Sequence, residues 1–159
     1  NNDELGVSKE IYYFFDGNEN DILEFKRQNL SLDDIEFKIN TVEDILQIIF
    51  EMKNYTTGEL AIKNNLDLEI KYNKSIELLA RRIRFWDIEN VYFFINEIEN
   101  ELKKEKEFLI SFLSKIIINV KYSVEAEDLK KLINLKNSIR SNVNVKSVIF
   151  NFFDILQSS

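Results

Sequence analysis

The sequence predicts an all-α fold, a helical bundle of about six to eight helices, and three observations predict it. Apolar residues recur at steps of three, four and seven through most of the 159 residues, the spacing of one helix face. There is no Pro and there are only three Gly, so little interrupts a helix. Ser, Thr, Asp or Asn stands ahead of most apolar runs, where a helix N-cap is needed.

The elements follow in order. Ser8 caps Lys9–Phe15, and Gly17 is placed to end that helix in the left-handed conformation. Asn18 caps Glu19–Gln28. Leu30-Ser31-Leu32 and Ile35-Glu36-Phe37-Lys38-Ile39 alternate, which leaves strand or helix open over 30–39. Thr41 and Asp44 form a near capping box, with Asp in place of Glu, leading into Ile45, Ile48, Ile49 and Met52. Leu66, Leu68, Ile70 and Tyr72 also alternate. The longer pattern Leu68, Tyr72, Ile76, Leu79, Ile83 is helical and is preferred. Asp87 opens the strongest stripe: Val91, Ile95, Ile98, Leu102, Leu109, Phe112, Ile116 and Val120. The charged turn Lys103–Glu107 is a point where it can break into two. Ser123 is expected to cap the helix carrying Leu129, Leu132, Ile133, Leu135 and Ile139, and Asn144 the last one, Val145–Gln157.

Composition bounds the chemistry. A chain of this size buries roughly 70% of the surface its unfolded form exposes, enough for a real core. There is no Cys and no His, which removes disulfides, thiolate metal sites, a Cys nucleophile and a Ser-His-Asp relay. Three glycines do not make a P-loop or a dinucleotide fingerprint. No cofactor, metal or catalytic residue is therefore expected. No apolar run approaches the ~20 residues of a membrane span, so no membrane partner is expected. The first residue is Asn rather than Met and no signal-peptide pattern follows, which reads as a processed product or a piece of a longer chain. The abundance of Ile and Asn beside three Ala reads as an AT-rich genome. The Asn-x-Ser/Thr triplets at Asn29, Asn54 and Asn73 then read as chance.

Charge is uneven. Residues 1–51 hold 13 acids and 4 bases, a net of −9, while the whole chain has a net charge of −7. That balance argues against broad binding of a phosphate backbone. Arg81, Arg82 and Arg84 make a short basic patch beside Phe85 and Trp86, an arrangement that can serve a nucleic acid. One cluster makes no continuous stripe, so these arginines are expected to pair with the acidic N-terminal third, with Trp86 in the core. Glu97, Glu101 and Glu105 stack at i, i+4, but a di-iron bundle also needs Glu-x-x-His, and a solvated face is expected. Thr57-Gly58-Glu59-Leu60-Ala61 ahead of Leu66 is only a faint helix-turn-helix pattern, with two lysines on its second helix.

The last helix is unusually apolar. Residues 148, 149, 150, 152, 153, 155 and 156 are seven of its thirteen positions, beyond the roughly three-in-seven face of a helix packed on one side. Phe150, Phe152 and Phe153 are therefore the candidate interface residues.

The stretch Leu129–Leu156 contains an aliphatic helix ending in Ile139-Arg140, a short Asn142-Val143-Asn144 break, and a final aliphatic helix. It resembles the end of bacterial clamp-loader subunits of DNA polymerase III, above all the delta-prime type. Asn142 and Asn144 suit the break because Asn tolerates the left-handed region and its carboxamide caps a helix. Upstream, Phe108-Leu109-Ile110-Ser111-Phe112-Leu113 after a Lys/Glu-rich turn resembles the same family. Residues 9–25, with Gly17-Asn18-Glu19-Asn20-Asp21-Ile22-Leu23, look like the end of an AAA+ lid, although no Arg fills the turn.

The resemblance implies a lid remnant over 1–29 and a helical collar-like domain over 30–159. It implies a cytoplasmic, non-catalytic module that assembles with the other clamp-loader subunits and supports sliding-clamp loading in DNA replication. The parent assembly would be a DNA polymerase III, a nucleotidyltransferase. No direct nucleic-acid contact is expected of this part. The alternative expectation is a secreted or surface-exposed helical protein, similar to spirochete lipoproteins, that binds a host protein.

Overall fold

A computed structural model describes residues 2–58, 66–141 and 143–159. The described residues are all-helical. Seven helices have nine residues or more: α3 (Glu19–Arg27), α5 (Val42–Thr57), α6 (Leu66–Arg82), α7 (Ile88–Leu102), α8 (Lys106–Val120), α9 (Ala126–Ser138) and α10 (Val145–Ser158). Three are short: α1 (Asn2–Leu5), α2 (Lys9–Phe14) and α4 (Leu32–Phe37). A 3-10 turn, Ile83–Phe85, joins α6 to α7.

Caps set most boundaries. Ser8, Asn18, Thr41, Asp87 and Asn144 each accept a bond from the backbone N–H three residues on. At Thr41 the capping box is complete: the Asp44 N–H donates to Thr41 Oγ1 at 3.1 Å, and the Thr41 N–H donates to Asp44 Oδ2 at 3.0 Å. The N–H groups of Asn40 and Thr41 hold the Asp44 carboxyl below its ordinary range. Gly17 ends the α2 turn at φ +73, its N–H donating to Tyr12 O at 2.9 Å, and a Cβ there would meet the Tyr12 hydroxyl at 3.1 Å.

One expectation is revised, one open reading is decided and one anticipated break is found. Ser123 does not cap α9; its N–H and hydroxyl both donate to Val120 O and close the turn after α8, and Glu125 holds the N-cap position. Residues 32–37 are a helix, not a hairpin strand: Ser31 caps it, Asp33 and Asp34 occupy its first turn, and Leu32, Ile35 and Ile39 face inward at helical spacing. The stripe over 88–120 is broken. Leu102 and Leu109 are both fully buried, but residues 103–107 carry no apolar side chain and Glu105 leaves helical geometry at φ −106, ψ 63.

The six long helices from α5 onward pack in a closed cyclic order: α5 on α6, α6 on α8, α8 on α9, α9 on α10, α10 on α7, and α7 back on α5. α4 lies on α6, and α1 on α3. Because α6 is covered by α4, α5 and α8, it buries Leu66 and Ile70 as well as the Leu68–Ile83 stripe, which is why its start alternates like a strand. One continuous apolar cluster fills the centre, and Phe15, Ile22 and Phe25 of the first 29 residues belong to it. Part of it is an aromatic group: Phe94 meets Phe153 edge-on at 5.2 Å between ring centres, Phe152 lies 5.4 Å and Phe112 6.5 Å from Phe153, and Trp86 closes on Phe94 at 5.5 Å.

Asn144→Ala removes the Oδ1 acceptor of the Ser147 N–H, a bond of 3.2 Å. It is expected to cost about 1 kcal/mol, read as a lower denaturation midpoint with an unchanged slope. The other Asn of the break, Asn142, lies outside the described residues, as does 59–65 of the helix-turn-helix pattern.

Candidate functional site

The three candidate interface residues separate. Phe152 and Phe153 are 0% exposed, in the aromatic core, so neither is free to meet a partner. The reason is that α10 packs on two helices, α7 and α9, and on the 3-10 turn. The chain's own neighbours take up most of its wide apolar face. Phe150 alone stays open, at 37% exposure. Its ring stacks on Tyr92 of α7, 5.7 Å between centres and 20° between planes.

Tyr92 is itself exposed and continues an outward stripe. Ile88 lies one turn before it, and Phe85 closes the 3-10 turn three residues earlier. Ile88 and Tyr92 lie at the edge of the α7 stripe that faces the core, and Phe85 is exposed on the preceding 3-10 turn. Tyr92 stands one residue after Val91, about 100° round the helix; Ile88, three residues before Val91 and seven before Ile95, shares the register of the buried stripe, so its exposure was not signalled by the sequence.

The basic patch is divided as well. Arg81 pairs with Glu36 and lies 3.9 Å from Glu77. Arg82 donates to Ile39 O at 3.0 Å and lies 3.9 Å from Glu36. Both are held by the acidic N-terminal third. Arg84 is exposed and forms no ion pair among the described residues. Beneath them Lys74, 2% exposed, places Nζ 3.2 Å from Glu77 and 3.4 Å from Glu36. This cluster fastens α4 to α6.

Of the Glu97–Glu101–Glu105 ladder, Glu101 pairs with Lys53 at 3.5 Å, and no group of three metal-ligating side chains occurs among the described residues. Burial, with Asp21 nearby, pushes the Glu69 carboxyl up against the opposing pull of Lys115. Burial also pushes the Tyr72 phenol up, and its hydroxyl has no hydrogen-bond partner among the described residues. An open groove of about 430 Å³ lies between α9 and α10, its surface mostly apolar, with Leu135 and Ile155 among residues that include Lys131, Asn134, Asn151 and Asp154. Among the described residues no helix is long and apolar enough to cross a membrane.

No family model, curated protein or solved structure matches this chain.

What the arrangement can do is bind through shape and apolar contact. On the exposed side, α7 and α10 meet through the stacked rings of Tyr92 and Phe150.

Proposed function

We propose that this chain is a non-catalytic helical module of a bacterial DNA polymerase III clamp loader, collar-like and of the delta-prime type. In this reading it holds its place in a hetero-oligomer with the other loader subunits and so supports loading of the sliding clamp. It does so in the cytoplasm, without a cofactor and without touching DNA itself.

The observation that carries the reading is the C-terminal unit. The residues that carry the resemblance form an aliphatic helix, α9, then a break, then a last helix capped by the Asn144 carboxamide and packed back on α9. The aromatic surface where α10 meets α7 gives such a module something to assemble with.

Copurification tests it. The tagged protein, co-expressed with the other clamp-loader subunits of its own genome, is expected to remain with them through affinity and size-exclusion chromatography. Elution alone, at the size of the free chain, would remove the clamp-loader reading.

A further inference from the structure

A second cleft, of about 320 Å³, opens where the start of α5, the end of α6 and the start of α7 meet. Its lining includes Val42, Glu43, Ile45, Arg82, Trp86 and Asn90. Clefts that hold small molecules begin at roughly this volume. Glu43 and Arg82 bring opposite charges to one cleft, yet they do not pair with each other. Glu43 is exposed and forms no ion pair among the described residues. Arg82 donates from Nη1 to Ile39 O at 3.0 Å, which leaves most of the guanidinium N–H groups open. The carboxylate beside it, Glu36 at 3.9 Å, is shared with Lys74 and Arg81. With Glu77 included, three cations there face two carboxylates, so one positive charge is left over. Trp86 is held in place as well: its carbonyl accepts from Gln157 Nε2 at 3.4 Å, and its ring meets Phe94 edge-on.

We propose that this cleft binds a small zwitterion with an apolar body, of the class of a free branched or aromatic α-amino acid. A plain anion would suit Arg82 but face Glu43, and a plain cation would meet the reverse. A zwitterion satisfies both. Its carboxylate takes the open N–H groups of Arg82, and its ammonium donates to the Glu43 carboxylate. The apolar body lies against Trp86, beside Val42 and Ile45. At about 30 Å³ per water-sized group the cleft holds roughly ten heavy atoms, the size of one amino acid rather than a peptide. The site does not depend on the clamp-loader reading. It gives the Arg82 and Trp86 part of the basic-aromatic motif a use other than nucleic acid.

Trp86 is the single Trp of the chain, so its fluorescence reports on the cleft directly. Titration with L-leucine and with L-phenylalanine is expected to shift Trp86 emission saturably, with a dissociation constant of about 1 mM or tighter. N-acetyl-leucine, which lacks the ammonium, and leucinamide, which lacks the carboxylate, are each expected to bind about tenfold more weakly than leucine. Glu43→Gln, at an exposed position without an ion pair, should keep the melting temperature and lose the preference for leucine over N-acetyl-leucine. Arg82→Met should lose the preference for leucine over leucinamide, with circular dichroism showing that the domain stays folded. No saturable shift with either amino acid, and no heat of binding by calorimetry, overturns the site. Equal binding of leucine and its two derivatives overturns the zwitterion. Leucine binding that Glu43→Gln and Arg82→Met both leave unchanged belongs to another part of the surface and overturns this cleft.

Discussion

Phe153→Ala is expected to lower the melting temperature by roughly 8–16 °C. The ring is fully buried and touches Phe94, Phe112 and Phe152. Truncating such a Phe costs about 4 kcal/mol, the lost transfer energy plus the cavity left behind. For a domain of this size each kcal/mol is worth about 2–4 °C. The effect is large because Phe153 stands where helices α7, α8 and α10 converge, and one helix cannot move in to fill the gap without opening contacts with the other two. Phe150→Ala, three positions earlier on the same helix, removes a ring that is already 37% exposed and stacks on Tyr92, and is expected to cost about 1 kcal/mol, a midpoint shift of roughly 2–4 °C. Thermal unfolding followed by circular dichroism reads both. Equal shifts for the two variants would mean that the rotation of α10 is wrong.

This pair of residues also shows where sequence reasoning succeeds and where it stops. The apolar excess of α10 was visible in its spacing, and a second packed surface follows from it. Which surface does not follow, because a helix with neighbours on two sides and a helix with one neighbour and one partner have the same sequence pattern. Placing α7 and α9 on either side of α10 is a tertiary fact, and it moves Phe152 and Phe153 from candidate interface to core. The adjacent rings Phe93 and Phe94 divide more simply: Phe94 is buried, while Phe93 lies about 100° round the helix and stays exposed.

Local chemistry was the most legible part. Ser8, Asn18, Thr41, Asp87 and Asn144 cap helices because a short side chain three residues from an orphan N–H needs no distant partner. Ser123 failed because the same hydroxyl can equally turn back to a carbonyl at the end of the preceding helix. The alternation at 30–39 and 66–72 imitates a strand for another reason. A short helix facing inward at Leu32, Ile35 and Ile39 reads like a strand over eight residues, and a helix covered on several sides loses its polar face. The pairing of Arg81 and Arg82 with the acidic N-terminal third was expected from charge alone. That the pairing centres on Glu36, over a buried lysine, was not.

That lysine gives the second large effect. The double variant Glu36→Gln/Glu77→Gln is expected to destabilise the protein by about 3 kcal/mol, whereas Lys74→Met should stay within about 1 kcal/mol of wild type at pH 7. Removing both carboxylates strands a buried ammonium without its opposite charges, and breaking a buried pair from one side is costly. Water reaches both carboxylates, which are about a third exposed and so keep the loss at the lower end of that range. Removing the lysine instead replaces a charged stem by an apolar one of similar length. It leaves Glu36 paired with Arg81 and Arg82, and Glu77 with Arg81. The pH dependence separates the roles further. Burial pushes the Glu36 carboxyl up, but Lys74 and Arg81 together outweigh it and hold its pKa below the ordinary value. A carboxylate with a lowered folded pKa contributes stability that is fully present above its unfolded value, about 4.3, and is lost as pH falls through the folded one. Lys74→Met should therefore match wild type near neutrality and lose less stability than wild type below about pH 4. Chemical denaturation at pH 7 and at pH 3.5 measures both. If Lys74→Met is the more damaging change at pH 7, the ammonium is held by its packing rather than by its two carboxylates, and the cluster is not the fastening between α4 and α6 that its geometry implies.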